Sequence, residues 1–205
     1  MQDVLSEIGV WKARGDRIAL ATVIDVQRSA PRPPGAKMAV NEHGEIAGSV
    51  SGGCVEGAVA EIADGILKGD PPQLLHFGIA DSDAWDVGLP CGGEIDVWVQ
   101  AYEPGRFEEL ARAGGRAAEV TVLEGAAPGA KLLIEPDGVR SGSLGSPEVD
   151  DEAARMADEL LWAETSERRG SLFVDVVGPA PRLIVFGAVD IAASLCTLAR
   201  AATRR

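Results

Sequence analysis

The chain has 205 residues, of which 46% are hydrophobic, so it can bury a substantial core without disulfides or metal ions. Its 32 acidic and 19 basic residues give a formal net charge of −13, which opposes general binding to nucleic acid or to an anionic membrane. Three cysteines are too few for a disulfide framework and indicate a reducing compartment, so we expect a cytoplasmic protein.

The first half of the chain predicts strands in which hydrophobic residues dominate, interrupted by helices with a 3.6-residue period. An amphipathic helix is expected within 1–17, where the charges exclude both a signal-peptide core and a membrane span. The further elements predicted are strands over 18–25, 36–40, 45–50, 74–79 and 94–101, and a helix over 55–68.

The second half of the chain repeats the first at an offset of 94 residues. The tetrapeptide Pro-Gly-Ala-Lys at 34–37 recurs at 128–131, and several later residues match in the same register. Chance similarity between two hairpins is the alternative, but duplication explains the common register better. At this offset Cys54 aligns with Glu148, so the second unit keeps the scaffold without the thiol.

These patterns predict an α/β fold of mixed sheets with flanking helices, built from two related strand-hairpin-strand-loop-helix units. We expect one domain over 1–178, with units at about 16–101 and 117–178, followed by the truncated start of a Rossmann-like domain over 179–205. That start comprises a strand over 181–186, a turn, and a helix over 191–200. Its strand needs neighbours for its backbone groups, so it should join the main sheet or pair across a homodimer.

The most informative motif is the glycine-rich segment 48–57, GSVSGGCVEG, which places Cys54 at the start of a helix. Backbone N–H groups and the helix dipole favour an anion there, either a ligand phosphate or the Cys54 thiolate. Gly52 and Gly53, together with Ser51, would let a ligand approach the backbone closely. The alternative is that Cys54 only packs in the core, as free cysteines often do.

A second cysteine is also adjacent to a pair of glycines, in the order Cys91, Gly92, Gly93. This could be a turn that enters the next strand, but two such associations suggest one shared pocket. Neither cysteine lies in a Cys-x-x-Cys pair, and neither histidine forms an evident pair with a nucleophile, so we predict no zinc site and no identifiable hydrolytic base.

Three charged residues near the Cys54 motif are candidates for ligand contact. Arg32 and Lys37 bracket a proline-rich loop and could clamp an anion, although most basic residues on a surface are only solvated. Glu56 could accept a proton or a ligand amine, or it could simply complement the helix dipole.

The chain resembles the XdhC/CoxI family, the accessory proteins of xanthine dehydrogenase and of aerobic carbon monoxide dehydrogenase. The resemblance is carried by SAPRPPGAKM at 29–38, GSVSGGCVE at 48–56, FGI at 77–79 and VGLPCGG at 87–93, and the segment 171–192 is similar to the one that leads into the family's Rossmann domain. The family usually has Gly-Ala-Gly-His at that turn, whereas Val189 and Asp190 occupy the last two places here. We therefore expect no NAD site.

The resemblance implies a role in the maturation of molybdenum hydroxylases, as a chaperone of the molybdenum cofactor rather than as an enzyme. The chain would bind molybdopterin, protect it while the sulfido form is made, and pass it to the apoenzyme, with a cysteine desulfurase as a second candidate partner. Cys54 and Cys91 would face the cofactor. Two alternatives stay open: an enzyme that uses Cys54 in sulfur transfer or redox chemistry, and a shortened interaction module without a ligand.

Overall fold

The computed structural model describes residues 1–78, 92–180, 182–187 and 189–202, so the predicted site residue Cys91 lies outside the described residues. The described part contains two antiparallel five-stranded sheets with flanking helices, which confirms the predicted fold class. No helix within these ranges is long and apolar enough to cross a bilayer.

The first unit matches the predicted strands and helices closely. Helix α1 is followed by the sheet order β3-β2-β1-β5-β4, in which every neighbouring pair is antiparallel. Its elements are α1 (Leu5–Arg14), β1 (Ile18–Gln27), β2 (Lys37–Asn41), β3 (Ile46–Gly48), α2 (Glu56–Lys68), β4 (Gln73–Phe77) and β5 (Glu94–Ala101).

The second unit repeats this topology, with the sheet order β8-β7-β6-β10-β9. Its elements are α3 (Arg106–Arg112), β6 (Ala117–Val122), β7 (Lys131–Ile134), β8 (Arg140–Gly142), α4 (Pro147–Ala163), β9 (Glu167–Arg169) and β10 (Leu172–Val177).

Local geometry also repeats between the units. Gly35 and Gly129 both have φ of +86°, and each donates its N–H over 2.8 Å to a valine carbonyl of the preceding strand. A Cβ added to Gly48 or to Gly142 would lie 2.3 Å from the carbonyl oxygen of the lysine that begins β2 or β7. Two units of related sequence therefore fold alike, while the predicted domain boundary at 178 stays a prediction.

The layers run helix, sheet, sheet, helix. One face of the first sheet packs against α2, and one face of the second packs against α4. The remaining faces meet, where Ile24 and Trp98 pack with Leu123 and Phe173. Strand β1 supplies both faces because its side chains alternate: Ala21 and Val23 face α2, and Ile24 faces the second sheet.

The segment after β10 departs in part from its prediction. Helix α5 (Asp190–Ala202) is found where a helix was expected. The predicted strand over 181–186 is wrong for the described residues 182–186, which form no strand and leave Leu183, Ile184 and Phe186 exposed. A strand needs a neighbour that supplies backbone partners, and no described strand pairs with this segment. The homodimer stays a prediction.

Candidate functional site

The loop between β3 and α2 is organised by the carboxylate of Glu56. This side chain folds back over the loop and accepts six hydrogen bonds from its backbone and hydroxyl groups. The donors are N–H of Val50 (3.2 Å), Ser51 (2.9 Å), Gly53 (2.9 Å) and Val55 (3.2 Å), and the hydroxyls of Ser49 (2.6 Å) and Ser51 (2.5 Å).

The remaining loop amides are also bonded within the loop. Gly52 donates its N–H to the Ser49 hydroxyl at 2.8 Å, and Cys54 donates to the Ser51 hydroxyl at 2.9 Å. Every amide from 50 to 55 therefore has a partner. This corrects the prediction that these amides are available to a ligand anion, because Glu56 occupies the position that such an anion would take.

The electrostatics of the loop follow from these contacts. Burial of the Glu56 carboxyl raises its pKa, but hydrogen bonds from Ser49 and Ser51 outweigh burial and lower the pKa to about 2. Glu56 is therefore ionised at neutral pH and is already fully engaged. It is not available as a base or as an acceptor for a ligand amine.

Cys54 lies at the rim of this loop, just before α2 begins. The residue is partly exposed and packs against the hydrophobic core between the first sheet and α2. Gly52 and Gly53 are exposed and have φ of +81° and +112°, a region that favours glycine. Ser51 is fully buried, so it orders the loop rather than contacting a ligand directly.

The proline-rich segment after β1 connects the two predicted glycine motifs. A Cβ on Gly52 would lie 3.4 Å from Cβ of Pro31, and a Cβ on Gly93 would lie 1.8 Å from the carbonyl oxygen of Ser29. The Cys54 loop and the Gly92–Gly93 pair therefore contact the same short segment. Whether the thiol of Cys91 approaches that of Cys54 stays a prediction, since Cys91 lies outside the described residues.

The structure does not bring the two predicted anion clamps to this loop as free cations. The guanidinium of Arg32 forms an ion pair with the carboxylate of Asp3. The ammonium of Lys37 lies between the two sheets, 2.6 Å from the Asp175 carboxylate and 3.0 Å from the Thr22 hydroxyl, and its side chain is 3% exposed. Lys37 therefore joins the two units and is not part of the site.

A family comparison identifies the chain. The model of the XdhC and CoxI family matches residues 11–78 and 110–170, which together cover more than half of the sequence. The chain belongs to the XdhC and CoxI family.

Relatives of this XdhC/CoxI chain match parts of longer proteins. The molybdenum cofactor insertion chaperone PaoD of Escherichia coli K12 is 39% identical over 84 residues, which are 40% of this chain and 26% of PaoD. A probable xanthine dehydrogenase subunit from Bacillus subtilis 168 is 26% identical over 180 residues, which are 84% of this chain and 53% of that protein. The chain thus spans about a quarter to a half of these relatives.

A solved structure shares the fold. The crystal structure of a protein described as a xanthine dehydrogenase from Bacillus halodurans superposes with a TM-score of 0.70 at 24% identity. The match covers 95% of this chain and 58% of that one, so the architecture of the XdhC/CoxI chain extends to a second, longer protein.

Sequence reasoning missed the structural role of Glu56, although the repeat contained a signal for it. At the offset of 94, Glu56 aligns with Asp150, whose carboxylate accepts the N–H of Leu144 at 2.6 Å in the second unit. An acidic residue is thus present at the same place in both loops of this family member. Within the described ranges, no cluster of His, Cys, Asp and Glu could hold a metal ion.

Proposed function

We propose that this chain is a non-catalytic accessory protein that binds molybdenum cofactor and assists its sulfuration and its insertion into a molybdenum hydroxylase such as xanthine dehydrogenase. Membership of the XdhC and CoxI family supports this role, as do the names of the relatives, one of which is a molybdenum cofactor insertion chaperone. The observation that carries the proposal is the fixed loop that presents Cys54 beside two exposed glycines.

The loop fits one end of such a cargo better than the other. A partly exposed thiol suits the soft molybdenum and dithiolene end of the cofactor, and Gly52 and Gly53 have no side chains to obstruct it. The phosphate end finds no free amides here, because Glu56 and the two serines engage all of them. The cofactor phosphate must therefore be bound by another group.

Glu56 has a positioning role in this proposal. By holding the loop between β3 and α2 in one conformation, it keeps Cys54 fixed relative to Pro31 and to Gly92–Gly93. A preorganised thiol loses less conformational entropy when a ligand binds. Cys91 would add a second sulfur from the adjoining segment, and the apoenzyme, a cysteine desulfurase and a second copy of the chain are the partners proposed.

A sulfur-transfer enzyme that uses Cys54 is the second candidate. The partial exposure of Cys54 favours it, because a thiol that attacks a substrate must be accessible. Alkylation at a series of pH values separates the two functions. A catalytic thiolate would react well below pH 8.5, about the pKa of a free thiol, whereas a thiol that only binds cargo does not need to.

Retention of the cofactor tests the proposed function. The chain would be isolated from cells that make molybdenum cofactor, and molybdenum and pterin would be measured in the wild type, in Cys54→Ala, and in Cys196→Ala as a matched control on exposed α5. We expect Cys54→Ala to lose the bound pterin and Cys196→Ala to keep it. Equal retention in all three proteins would contradict the role of Cys54.

A further inference from the structure

An arginine that sequence reasoning did not single out lies at the candidate site. Arg28 directly follows β1 and has φ of +64°, a left-handed conformation that is uncommon for residues other than glycine. Such a conformation costs free energy and persists where the surrounding structure imposes it. Here the next residue, Ser29, is packed so closely against Gly93 that no Cβ would fit between them.

The guanidinium of Arg28 forms a single ion pair within the described part of the chain. Its Nη1 lies 3.2 Å from Oε1 of Glu94, its ion-pair partner among the described residues, and its side chain is 61% exposed. An exposed ion pair of this kind contributes little to stability. The pair therefore does not account for an arginine at a position where glycine would fold with less strain, and no other side-chain partner of Arg28 is found among residues 1–78 and 92–180.

Arg28 is close in the chain to the segment that lies beside the Cys54 loop. Three peptide units separate it from Pro31 and span at most about 11 Å, and a Cβ on Gly52 would lie 3.4 Å from Cβ of Pro31. Arginine binds phosphate through two parallel hydrogen bonds, which makes it suited to the anionic end of a phosphorylated ligand. Such an end needs a cation here, because the loop amides are engaged by Glu56.

We propose that Arg28 binds the phosphate of the ligand whose sulfur-rich end contacts Cys54. This inference rests on the proposed function and names the residue that recognises the anionic group. The ion pair with Glu94 restrains the guanidinium, and Arg28 directly precedes the segment 29–31 that lies beside both glycine motifs. In this proposal the left-handed backbone of Arg28 is tolerated because its guanidinium binds the phosphate, which glycine could not do.

Three variants separate the charge of Arg28 from its backbone conformation. Arg28→Gly removes both charge and strain, Arg28→Gln removes the charge alone, and Glu164→Gly is the control. Glu164, with φ of +55°, is the other non-glycine residue with positive φ in the described part of the chain. The probes are the oxidised, fluorescent pterin derived from the cofactor, with and without its phosphate, titrated at low and at high salt.

We expect Arg28→Gly and Arg28→Gln to weaken binding of the phosphorylated pterin about tenfold and to abolish most of its salt dependence. Binding of the dephosphorylated pterin should stay unchanged. Arg28→Gly and Glu164→Gly should also raise Tm by about 2–4 °C, since each relieves a left-handed residue, whereas Arg28→Gln should not. Glu164→Gly should bind both pterins as the wild type does.

Unchanged discrimination between the two pterins in Arg28→Gly and Arg28→Gln would overturn the assignment of Arg28. If Cys54→Ala still loses the pterin in that case, the proposed function survives and only this inference fails. If the wild type binds neither pterin and retains no cofactor from cells, the proposed function fails, and the inference fails with it.

Discussion

Replacing Glu56 by glutamine tests the organisation of the Cys54 loop. Each carboxylate oxygen of Glu56 accepts three hydrogen bonds: Oε1 from Ser49, Val50 and Ser51, and Oε2 from Ser51, Gly53 and Val55. In Glu56→Gln one of these oxygens becomes an NH₂ group, so two backbone N–H groups face a donor in either orientation of the amide, while the serine hydroxyl on that side can rotate.

The pKa of Glu56 gives the magnitude. The fall from 4.5 to about 2 is about 2.5 units, and each unit corresponds to about 1.4 kcal/mol, which gives about 3 kcal/mol for a fully buried group. Because the side chain is only partly buried, solvent screening reduces the expected loss to about 2 kcal/mol at pH 7. The corresponding fall in Tm for a chain of this size is about 4–8 °C.

The sign of the pH dependence follows from the lowered pKa. Ionised Glu56 stabilises the folded chain fully above pH 4.5, and this contribution is lost as the pH falls from 4.5 toward 2. The assay is urea unfolding of the wild type, Glu56→Gln and the control Glu61→Gln, which alters an exposed residue on the same helix. Glu56→Gln should be less stable at pH 7, and the difference should shrink at lower pH. A variant as stable as the wild type at pH 7 would refute the reasoning.

Two further predictions concern the scaffold. Lys37→Met should destabilise the chain by about 3–5 kcal/mol in urea unfolding, because it leaves the buried Asp175 carboxylate without its ion-pair partner. The double variant Lys37→Met, Asp175→Leu should recover most of this lost stability. If it recovers none, the pairing is contradicted. Gly48→Ala and Gly142→Ala should each lower Tm more than Gly138→Ala does, because all three have positive φ but only the first two would place Cβ 2.3 Å from a carbonyl oxygen. Equal shifts in all three would show that this close approach does not constrain the chain.

Much of the fold could be predicted because its signals are local. Segments rich in hydrophobic residues indicate β1 and β5, and the repeated Pro-Gly-Ala-Lys motif indicates that the second sheet copies the first. The strand expected over 181–186 shows the limit of this reasoning. An apolar run favours a strand, but strand formation also depends on a partner that the run itself does not specify.

The candidate site was harder to predict because its contacts depend on the folded chain. A lysine beside a proline-rich loop gives no local indication of burial, and the partner of Lys37 comes from the far end of the second unit. The glycine-rich loop at the start of α2 suggested a ligand phosphate or the Cys54 thiolate as the anion bound there, and the structure instead has the Glu56 carboxylate. The sequence alone did not show that Glu56 would supply that anion, since the side chain reaches it only after the loop turns back.

Activation of a cofactor-free molybdenum hydroxylase by this chain tests the proposed role most directly. The chain loaded with molybdenum cofactor, the Cys54→Ala variant treated in the same way, and the free cofactor at equal concentration would each be added to apo-xanthine dehydrogenase, and the recovered activity would be measured. The loaded wild type should restore activity well above the level reached with free cofactor, and Cys54→Ala should not. Equal activation with and without the chain would contradict its role in cofactor insertion.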